Sequence, residues 1–263
     1  MVWSWKSDEH GVEYDEAFPD DTIINWTREL VDAIHANSLA IDPADQNILL
    51  SCRHLDCVMK IDRSTGDIIW RLGGKKSSFA FNSSAQRFSH QHCAYVIPDD
   101  QRLGVIKTAN QHILLFDNGN LHRQWSGNTP GELDANPYSR AAEYELTFGP
   151  DGSPDKAVLV WSYKEKNSAG FNKHLTEEEK KIYLERYRFS ASRGSVQRLT
   201  TLNTLICWGQ NGEITSLGSS QPFKGPILYN SAFSEVTSKC KKVMEVKLPD
   251  SEAAYRALID EQH

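Results

Sequence analysis

Short hydrophobic runs separated by turns dominate the first part of the chain. The runs 47–53 (NILLSCR), 57–62 (CVMKID) and 67–72 (DIIWRL) are typical of β strands. The segment RSTG joins the last two runs, and its glycine stands where a tight turn often needs positive φ. The pattern predicts an antiparallel meander.

The same order of strand and turn returns twice along the chain. The later groups are LGVIK at 103–107, ILLF at 113–116 and 121–125 after the turn DNGN, and then SVQRL, TLICWG and EITSL with an Asn-Gly turn. Repeated antiparallel units without an intervening helix predict the blades of an all-β propeller, each roughly 40–50 residues long. A β-sandwich also has many short strands and stays open as the alternative.

Two segments have the pattern of helices. The first, at 176–189, opens with a capping box of Thr176 and Glu179. The second, at 251–262, has Ser251 as its N-cap. We therefore predict one β-propeller domain over 1–248 with a helical insertion at 175–189, followed by a C-terminal helix within 249–263.

Composition limits the class of protein. With 263 residues, 39 % of them hydrophobic, the chain can bury a full core. The net charge of −6 argues against a general surface for nucleic acid or anionic membrane, so we expect neither partner. No apolar stretch is long enough for a membrane span and no export signal is visible, which predicts a soluble chain and leaves the compartment open. The five cysteines form no CxxC pair and are expected to be free thiols.

Polar residues cluster at the ends of the predicted strands, in the segments IHANS, SCRH and SHQH. Imidazole can act as a base or nucleophile near neutral pH, and guanidinium can hold an anion. The cluster therefore predicts an enzyme that acts on an anionic substrate. Its members are His35, Asn37, Arg53, His54, Gln91 and His92.

The chain resembles the arylsulfate sulfotransferase family in the content and order of its motifs, over roughly residues 3–217. The matching segments are DAIHANSLAID, ILLSCRHLDCVMKIDRSTGDIIWRLGG, FSHQHCAYVIPDD, LLFDNGN, YSRAAEYEL and GSVQRLTTLNTLICWG. The resemblance implies a six-bladed propeller whose central funnel binds an aryl sulfate. It also implies histidine-assisted transfer of a sulfuryl group to a phenolic acceptor without a cofactor, and no GxxxxGKS phosphate loop occurs in the chain.

Site residues carry over from this resemblance one by one. His35, His92 and Arg140 match motif residues and are the expected catalytic groups. In extended strands, Asn37 would lie on the same side as His35, and His90 on the same side as His92. The expected substrate-binding residues are Asn37, Arg53, His54, His90, Gln91, Asn118, Arg123 and Gln197.

Several alternatives stay open. A later histidine of the family has no clear counterpart near GSVQRL, so His35 or His92 would be the nucleophile, transfer would be direct, or the chain would be a non-catalytic binding module. A metal site of His35, His54, His90 and His92 is a third hypothesis. The run VWSWKSDEHG resembles the middle of the family's propeller. We therefore expect a fragment, a shortened member with fewer blades, or an incomplete propeller that a partner or self-association closes.

Other polar residues are expected to be structural. His10, His112 and His122 stand alone in turns or strands, and Asp56 and Asp117 adjoin turns, where aspartate commonly forms the turn.

Overall fold

A computed structural model gives the fold of the chain. It describes residues 3–17, 32–103, 110–120, 122–133, 138–167, 187–211, 230–248 and 254–258, together with Glu178, Lys181 and Glu185. Strands account for 48 %, and the described residues contain no helix of seven or more residues, which confirms a mostly β protein. Within these same ranges, no helix is long and apolar enough to cross a membrane.

Three sheets are built from antiparallel meanders. The strands are β1 Ala36–Ile41, β2 Ile48–Cys52, β3 Cys57–Ile61, β4 Ile68–Gly73, β5 Ala80–Phe81, β6 His92–Val96, β7 Gln111–Asp117, β8 Arg123–Ser126, β9 Thr129–Leu133, β10 Arg140–Phe148, β11 Pro154–Tyr163, β12 Ser190–Ser192, β13 Ser195–Arg198, β14 Thr204–Asn211, β15 Asn230–Val236 and β16 Lys242–Lys247. Single 3-10 turns lie at Ser7–His10, Tyr14–Glu16, Arg53–Leu55, Ser84–Gln86 and Asp99–Gln101.

Sheet order follows chain order closely. The first sheet is β1-β2-β3-β4, the second is β6-β7-β10-β11 with β5 added parallel to β11, and the third is β13-β14-β15-β16, with β12 also paired to β14. Strands β8 and β9 form a separate hairpin. Each sheet thus contains a four-stranded meander, and the described residues show no closed ring of sheets.

The second sheet is buried on both faces, which explains the unbroken hydrophobic run of β7. Ile113 and Leu115 belong to a core shared with the first sheet. Leu114 and Phe116 belong to another core shared with the third sheet. Because neighbouring residues of a strand point to opposite faces, a strand between two sheets must be apolar at every position. The three sheets therefore lie one against the next rather than as the two layers of a sandwich.

A third core covers the other face of the first sheet. Met59 and Ile61 of β3 pack there with Val12 and Ala17 from the N-terminal segment. This cover is incomplete, because Leu39 of β1 is 58 % exposed. The outer face of the first sheet is therefore partly open.

The strand predictions held for the first group and for parts of the later ones. The runs at 47–53, 57–62 and 67–72 became β2, β3 and β4. The expected pairing across the DNGN turn was wrong, because β7 pairs with β10 whereas β8 pairs with β9. Residues 104–107 of LGVIK and the run EITSL lie outside the described residues.

Both helix predictions need correction where they can be compared. Glu178, Lys181 and Glu185 are helical, but Tyr187 forms a β-bridge with Lys166, so the helix does not reach Phe189. Residues 254–258 are not helical. There, tertiary bonds take the place of helical ones: the backbone N–H of Ala254 donates to Ser231 Oγ and that of Ala257 to Ser195 Oγ. The other residues of both segments lie outside the described ranges.

Gly194 lies where the second and third sheets approach each other closely. Its φ is +100°, and a Cβ added there would lie 2.5 Å from Cε1 of Phe116. Gly152 has a similar φ of +80° with nothing within 4 Å of such a Cβ. We expect Gly152→Ala to lower the free energy of unfolding by about 1 kcal/mol through backbone strain alone.

Gly194→Ala should cost about 1–3 kcal/mol more than Gly152→Ala, because the added methyl group overpacks the interface. Urea denaturation of both variants measures the difference. Equal losses would show that the interface has room for the methyl group.

Candidate functional site

The ends of strands from all three sheets meet at one place. The Asn37 side chain of β1 donates from Nδ2 to the backbone oxygen of Gln91, just before β6, at 2.6 Å. The Gln91 side chain donates back to the first sheet, from Nε2 to the oxygens of Cys52 and Cys57 at 3.2 and 2.9 Å. Gln91 is fully buried, so these bonds fasten the start of β6 to the β2–β3 connection.

The third sheet joins the same place through two side chains. Arg53, after β2, donates from Nη2 to the backbone oxygen of Ala191 at 3.3 Å. Asn118, after β7, donates from Nδ2 to the backbone oxygens of Ser190 and Arg193 at 2.7 and 2.9 Å. Residues that are distant in the sequence are therefore held together by hydrogen bonds to backbone carbonyls.

His35 forms a dyad with Asp32. Its Nδ1 bonds directly to Oδ2 of Asp32, and its side chain is 38 % exposed. No hydrogen bond to Nε2 is found among the described residues. A carboxylate at Nδ1 accepts the ring proton, and Nε2 then carries the lone pair. The dyad presents an oriented, partly exposed imidazole.

His54 lies beside this dyad with its tautomer fixed. Its ring centroid is 4.5 Å from that of His35, and the residue is fully buried. Nε2 accepts from Arg53 Nη1 at 2.6 Å, and Nδ1 bonds to the backbone oxygen of Asp32. Because guanidinium can only donate, the ring proton must be on Nδ1 and His54 is neutral. His54 thereby places Arg53 close to His35.

Asp56 holds the backbone of His90 in place. The backbone N–H of His90 donates to Oδ1 of Asp56 at 2.7 Å, and its Nδ1 lies 3.4 Å from the same oxygen. Its ring centroid is 6.0 Å from that of His54. His90 has φ of +58° and precedes β6, so its backbone is not extended. The prediction that His90 and His92 lie on the same side of a strand is therefore wrong.

The predicted relation between His35 and Asn37 fails for the same reason. His35 has φ of +48°, and the register of β1 shifts between Ala36 and Ser38. The strand rule for side-chain direction applies only to extended backbone. The Asn37 side chain bonds to the Gln91 backbone, whereas His35 faces Asp32.

His92 is a buried neutral imidazole. Its Nδ1 bonds to Oδ1 of Asn118 at 2.7 Å, and only 4 % of the residue is exposed. Burial lowers the pKa of His92 to about 3, against the opposing effect of the Asn118 hydrogen bond; the nearby charge of Arg53 lowers it further. His92 therefore stays uncharged at neutral pH.

Arg140 lies in a second, fully buried network. Its Nε donates to Oδ2 of Asp117 at 2.8 Å, and its Nη1 and Nη2 donate to the backbone oxygens of Ala85 and Arg87 at 3.0 and 2.7 Å. The pKa of Arg140 is raised by Tyr144 and Asp117, which outweigh burial. All three nitrogens of its guanidinium group therefore donate to oxygens of the protein.

The remaining predicted residues lie on other elements. Arg123 begins β8 in the separate hairpin, opposite Leu133, and Gln197 lies on β13 opposite Leu205. The structure brings together His35, Asn37, Arg53, His54, His90, Gln91, His92 and Asn118.

The aspartates expected in turns have further contacts. Asp56 does occupy a left-handed turn position with φ of +49°, yet its carboxylate orients His90. Asp117 is fully buried, and the charges of His122 and Arg140 lower its pKa against the effect of burial. His122 and His112 are hydrogen-bonded structural residues, to Asp117 and Glu143 respectively, as expected.

The described residues bring together a different set of metal-type ligands from the four predicted histidines. Asp32, His35 and His54 have ligand atoms within 4.8 Å of one another. Both ring nitrogens of His54 are already bonded, and the Arg53 guanidinium adjoins its ring. A metal cation bound there would lie beside that guanidinium, which is electrostatically unfavourable.

Asp32 is the residue that sequence reasoning missed. It stands three residues before His35 in DAIH, and that spacing was the available signal. Nothing in the pattern separates it from an ordinary exposed aspartate, because the contact depends on the positive φ of His35.

The meanders define a mostly β protein with an imidazole-rich cluster at the strand ends. The model of the arylsulfotransferase (ASST) family matches residues 1–181, and the chain belongs to this family of sulfotransferase enzymes. A search of curated proteins found no match.

The low pKa of His92 predicts a specific pH dependence of stability. Between about pH 6.5, the ordinary value, and about pH 3, the unfolded chain binds a proton at this residue and the folded chain does not. Stability due to neutral His92 is therefore complete above pH 6.5 and falls by about 1.4 kcal/mol per pH unit below it.

We expect the free energy of unfolding of His92→Gln, measured in urea, to fall less steeply between pH 6.5 and 4.5 than that of the parent. The difference in slope should correspond to about one bound proton. NMR of the His92 ring offers a direct check, since its Cε1–H resonance should not titrate between pH 8 and 5. A midpoint near 6.5 would contradict the burial argument.

Arg140 is predicted to act on stability. Arg140→Ala leaves the carboxylate of Asp117 buried without its arginine partner, and should lower the free energy of unfolding by about 3–5 kcal/mol. Lys6→Ala, which removes an exposed ion pair with Glu9, is the control and should change stability little. A folded Arg140→Ala variant with parental stability would refute this role.

Proposed function

We propose that this protein transfers a sulfuryl group from an aryl sulfate to a phenolic acceptor, with His35 as the nucleophile and without a nucleotide cofactor. Membership of the arylsulfotransferase family supports the reaction class. The observation that supports His35 is its bond to Asp32, combined with a partly exposed ring. A carboxylate–imidazole pair of this kind activates nitrogen as a base or nucleophile.

The transfer has two balanced steps. In the first, the Nε2 lone pair of His35 attacks sulfur, the bond between sulfur and the aryl oxygen breaks, and the phenolate leaves with that electron pair. In the second, the acceptor oxygen attacks sulfur and the nitrogen–sulfur bond breaks. The proton lost by the acceptor phenol balances the one gained by the leaving phenolate. Asp32 stabilises the positive charge that the ring carries between the steps.

Arg53 is the proposed ligand for the sulfate oxygens. Its guanidinium is half-buried, and His54 positions it by accepting from Nη1. Arginine binds oxyanions well because its planar donors match their geometry. Since His54 is neutral and His92 has a pKa of about 3, the positive charge at this end comes from Arg53 rather than from these imidazoles.

His92, Asn118 and Arg140 are proposed to position the site. His92 and Asn118 bond to each other and link two sheets. Arg140 pairs with Asp117, whose other carboxylate oxygen accepts from the backbone N–H of Ser89. These bonds hold the segment that leads into β6, on which His90 and Gln91 stand.

The fold proposal is a β-propeller, which is six-bladed in the family and is incomplete or has fewer blades in this chain. Each four-stranded meander has the form of a blade, and successive sheets pack face to face as blades do. Strands β1, β6 and β13 would then be the innermost strands. Their starting ends would surround the funnel in which the substrate binds.

A non-catalytic binding module is the second candidate. It is favoured by the burial of His92 and Arg140, two of the three residues expected to be catalytic. Such a protein would bind aryl sulfates through Arg53 and leave them intact. The two candidates differ in one measurable respect, which is release of the phenol.

The assay uses 4-nitrophenyl sulfate as donor and phenol as acceptor, without nucleotide. We expect acceptor-dependent release of nitrophenol, which falls at least about a hundredfold in His35→Ala because the nucleophile is lost. Asp32→Asn should lower kcat with KM nearly unchanged, since Asp32 acts through His35 and not on the substrate. Asp99→Asn, a change at an exposed aspartate, is the matched control.

Intact mass after donor addition tests the covalent step. One added sulfuryl group that maps to His35 and disappears with phenol supports the proposal. Turnover without such an intermediate would contradict nucleophilic attack by His35. No turnover by a folded parent over a panel of aryl sulfates would favour the binding module.

A further inference from the structure

Arg87 differs from the other buried arginines of the chain. Among the described residues, five arginines are buried, and four of them have a carboxylate within 3.0 Å. These four pairs are Arg71–Glu16, Arg140–Asp117, Arg188–Glu165 and Arg198–Glu143. Arg87 is only 5 % exposed, yet it forms no ion pair with any residue in the described ranges. Because buried charges in proteins are normally paired, Arg87 is a candidate to bind an anion from solution.

Neutral oxygens hold the Arg87 guanidinium in place. Nη1 donates to the backbone oxygen of Gly74 at 3.2 Å, and Nη2 donates to the backbone oxygen of Gly127 at 2.8 Å and to Oδ1 of Asn128 at 2.6 Å. Burial lowers the pKa of Arg87 to about 10, against the opposing charge of Asp56. The hydrogen bonds therefore fix the position of the guanidinium without supplying a negative charge.

A cavity of about 500 Å³ lies beside this guanidinium. Its lining includes Arg87, Phe81, Trp125, Asn82 and Ser83. The rings of Phe81 and Trp125 lie 4.7 and 4.2 Å from Cζ of Arg87, so aromatic surface adjoins the charge. The side chains of Asn82 and Ser83 are exposed and make no hydrogen bond within the part of the chain that the structure describes. A ligand in the cavity can thus contact a cation, aromatic rings and uncommitted polar groups.

The size and polarity of the cavity indicate the class of anion. Sites for small molecules measure about 300–1,000 Å³, and a bare phosphate or sulfate ion would leave most of such a space unfilled. The exposed carboxylate of Asp155 also lines the cavity, and it accepts hydrogen bonds from hydroxyl groups but repels a second anionic group. A sugar ring combines hydroxyl groups with a less polar face that can pack on Trp125.

We propose that this cavity binds an acidic sugar, with its oxyanion paired to Arg87 and its hydroxyl groups bonded to Asn82 and Ser83. The oxyanion is the carboxylate of a uronic acid or the phosphate of a sugar phosphate, since a guanidinium pairs with either group. The lining of the cavity includes neither His35 nor Arg53. The inference therefore goes beyond the proposed function and does not depend on it.

Calorimetry on the parent protein tests the ligand class with four probes. These are D-glucuronate, D-glucose 6-phosphate, D-glucose and inorganic phosphate. We expect one of the two acidic sugars to bind at least about tenfold more tightly than D-glucose, because only the acidic sugar pairs with the guanidinium. The same sugar should bind at least about tenfold more tightly than inorganic phosphate, which makes no contact through hydroxyl groups.

Asn128→Asp tests the role of Arg87 without removing it. The new carboxylate keeps the oxygen that accepts from Nη2 and gives Arg87 the negative partner that a ligand would otherwise provide. It should weaken binding of the acidic sugar at least about tenfold and leave turnover of 4-nitrophenyl sulfate within about twofold. Gln124→Glu is the matched control, because it adds the same charge at an exposed residue of the same hairpin that does not line the cavity.

Each outcome decides the assignment. Binding of an acidic sugar that is lost in Asn128→Asp and kept in Gln124→Glu supports it, whether or not the protein turns over aryl sulfates. Equal affinity for D-glucose overturns the pairing with Arg87, and equal affinity for inorganic phosphate overturns the sugar. Binding that persists in Asn128→Asp places the ligand elsewhere, and a folded parent that binds neither acidic sugar overturns the inference.

Discussion

The side chain of Asn118 holds the site together. Its Oδ1 accepts from His92 at the start of β6, and its Nδ2 donates to the backbone oxygens of Ser190 and Arg193 beside the third sheet. The residue is fully buried. If its side chain were removed, each of these partners would lose a hydrogen bond that water could not replace. One carboxamide therefore sets the tautomer of His92 and the distance between two sheets.

The strands that sequence reasoning found were those set by local rules. The β3–β4 hairpin follows from two hydrophobic runs and the RSTG turn, all within a short stretch of chain. The DNGN turn was an equally local signal for a β7–β8 hairpin, but β7 pairs with the more distant β10. The apolar faces of β7 and β10 fill the cores on both sides of the second sheet. The same pairing places Arg140 opposite Asp117. The C-terminal helix lost in the same way to tertiary bonds, here from Ser231 and Ser195.

The residue types of the site were predictable, but the directions of the side chains were not. Histidine, arginine and amide residues at strand ends indicated a polar cluster, and the structure does bring His35, Arg53 and His54 near one another. Their partners depend on backbone angles that a periodic pattern does not carry. His35 and His90 both have positive φ, so alternation along an extended strand gives the wrong neighbour for each.

Those backbone angles also indicate where the fold stores strain. Of eight non-glycine residues with positive φ in the described part of the chain, five lie at this end of the sheets: His35, Asp56, His90, Cys93 and Arg193. Each costs on the order of 1–3 kcal/mol and persists only where the surroundings impose it.

The surroundings here are the two cores on either side of the second sheet, which leave β6 and β7 no alternative register. Burial of those faces offsets the strain. The same burial keeps His92 neutral. His35 lies outside these cores, bonds to Asp32 and stays partly exposed.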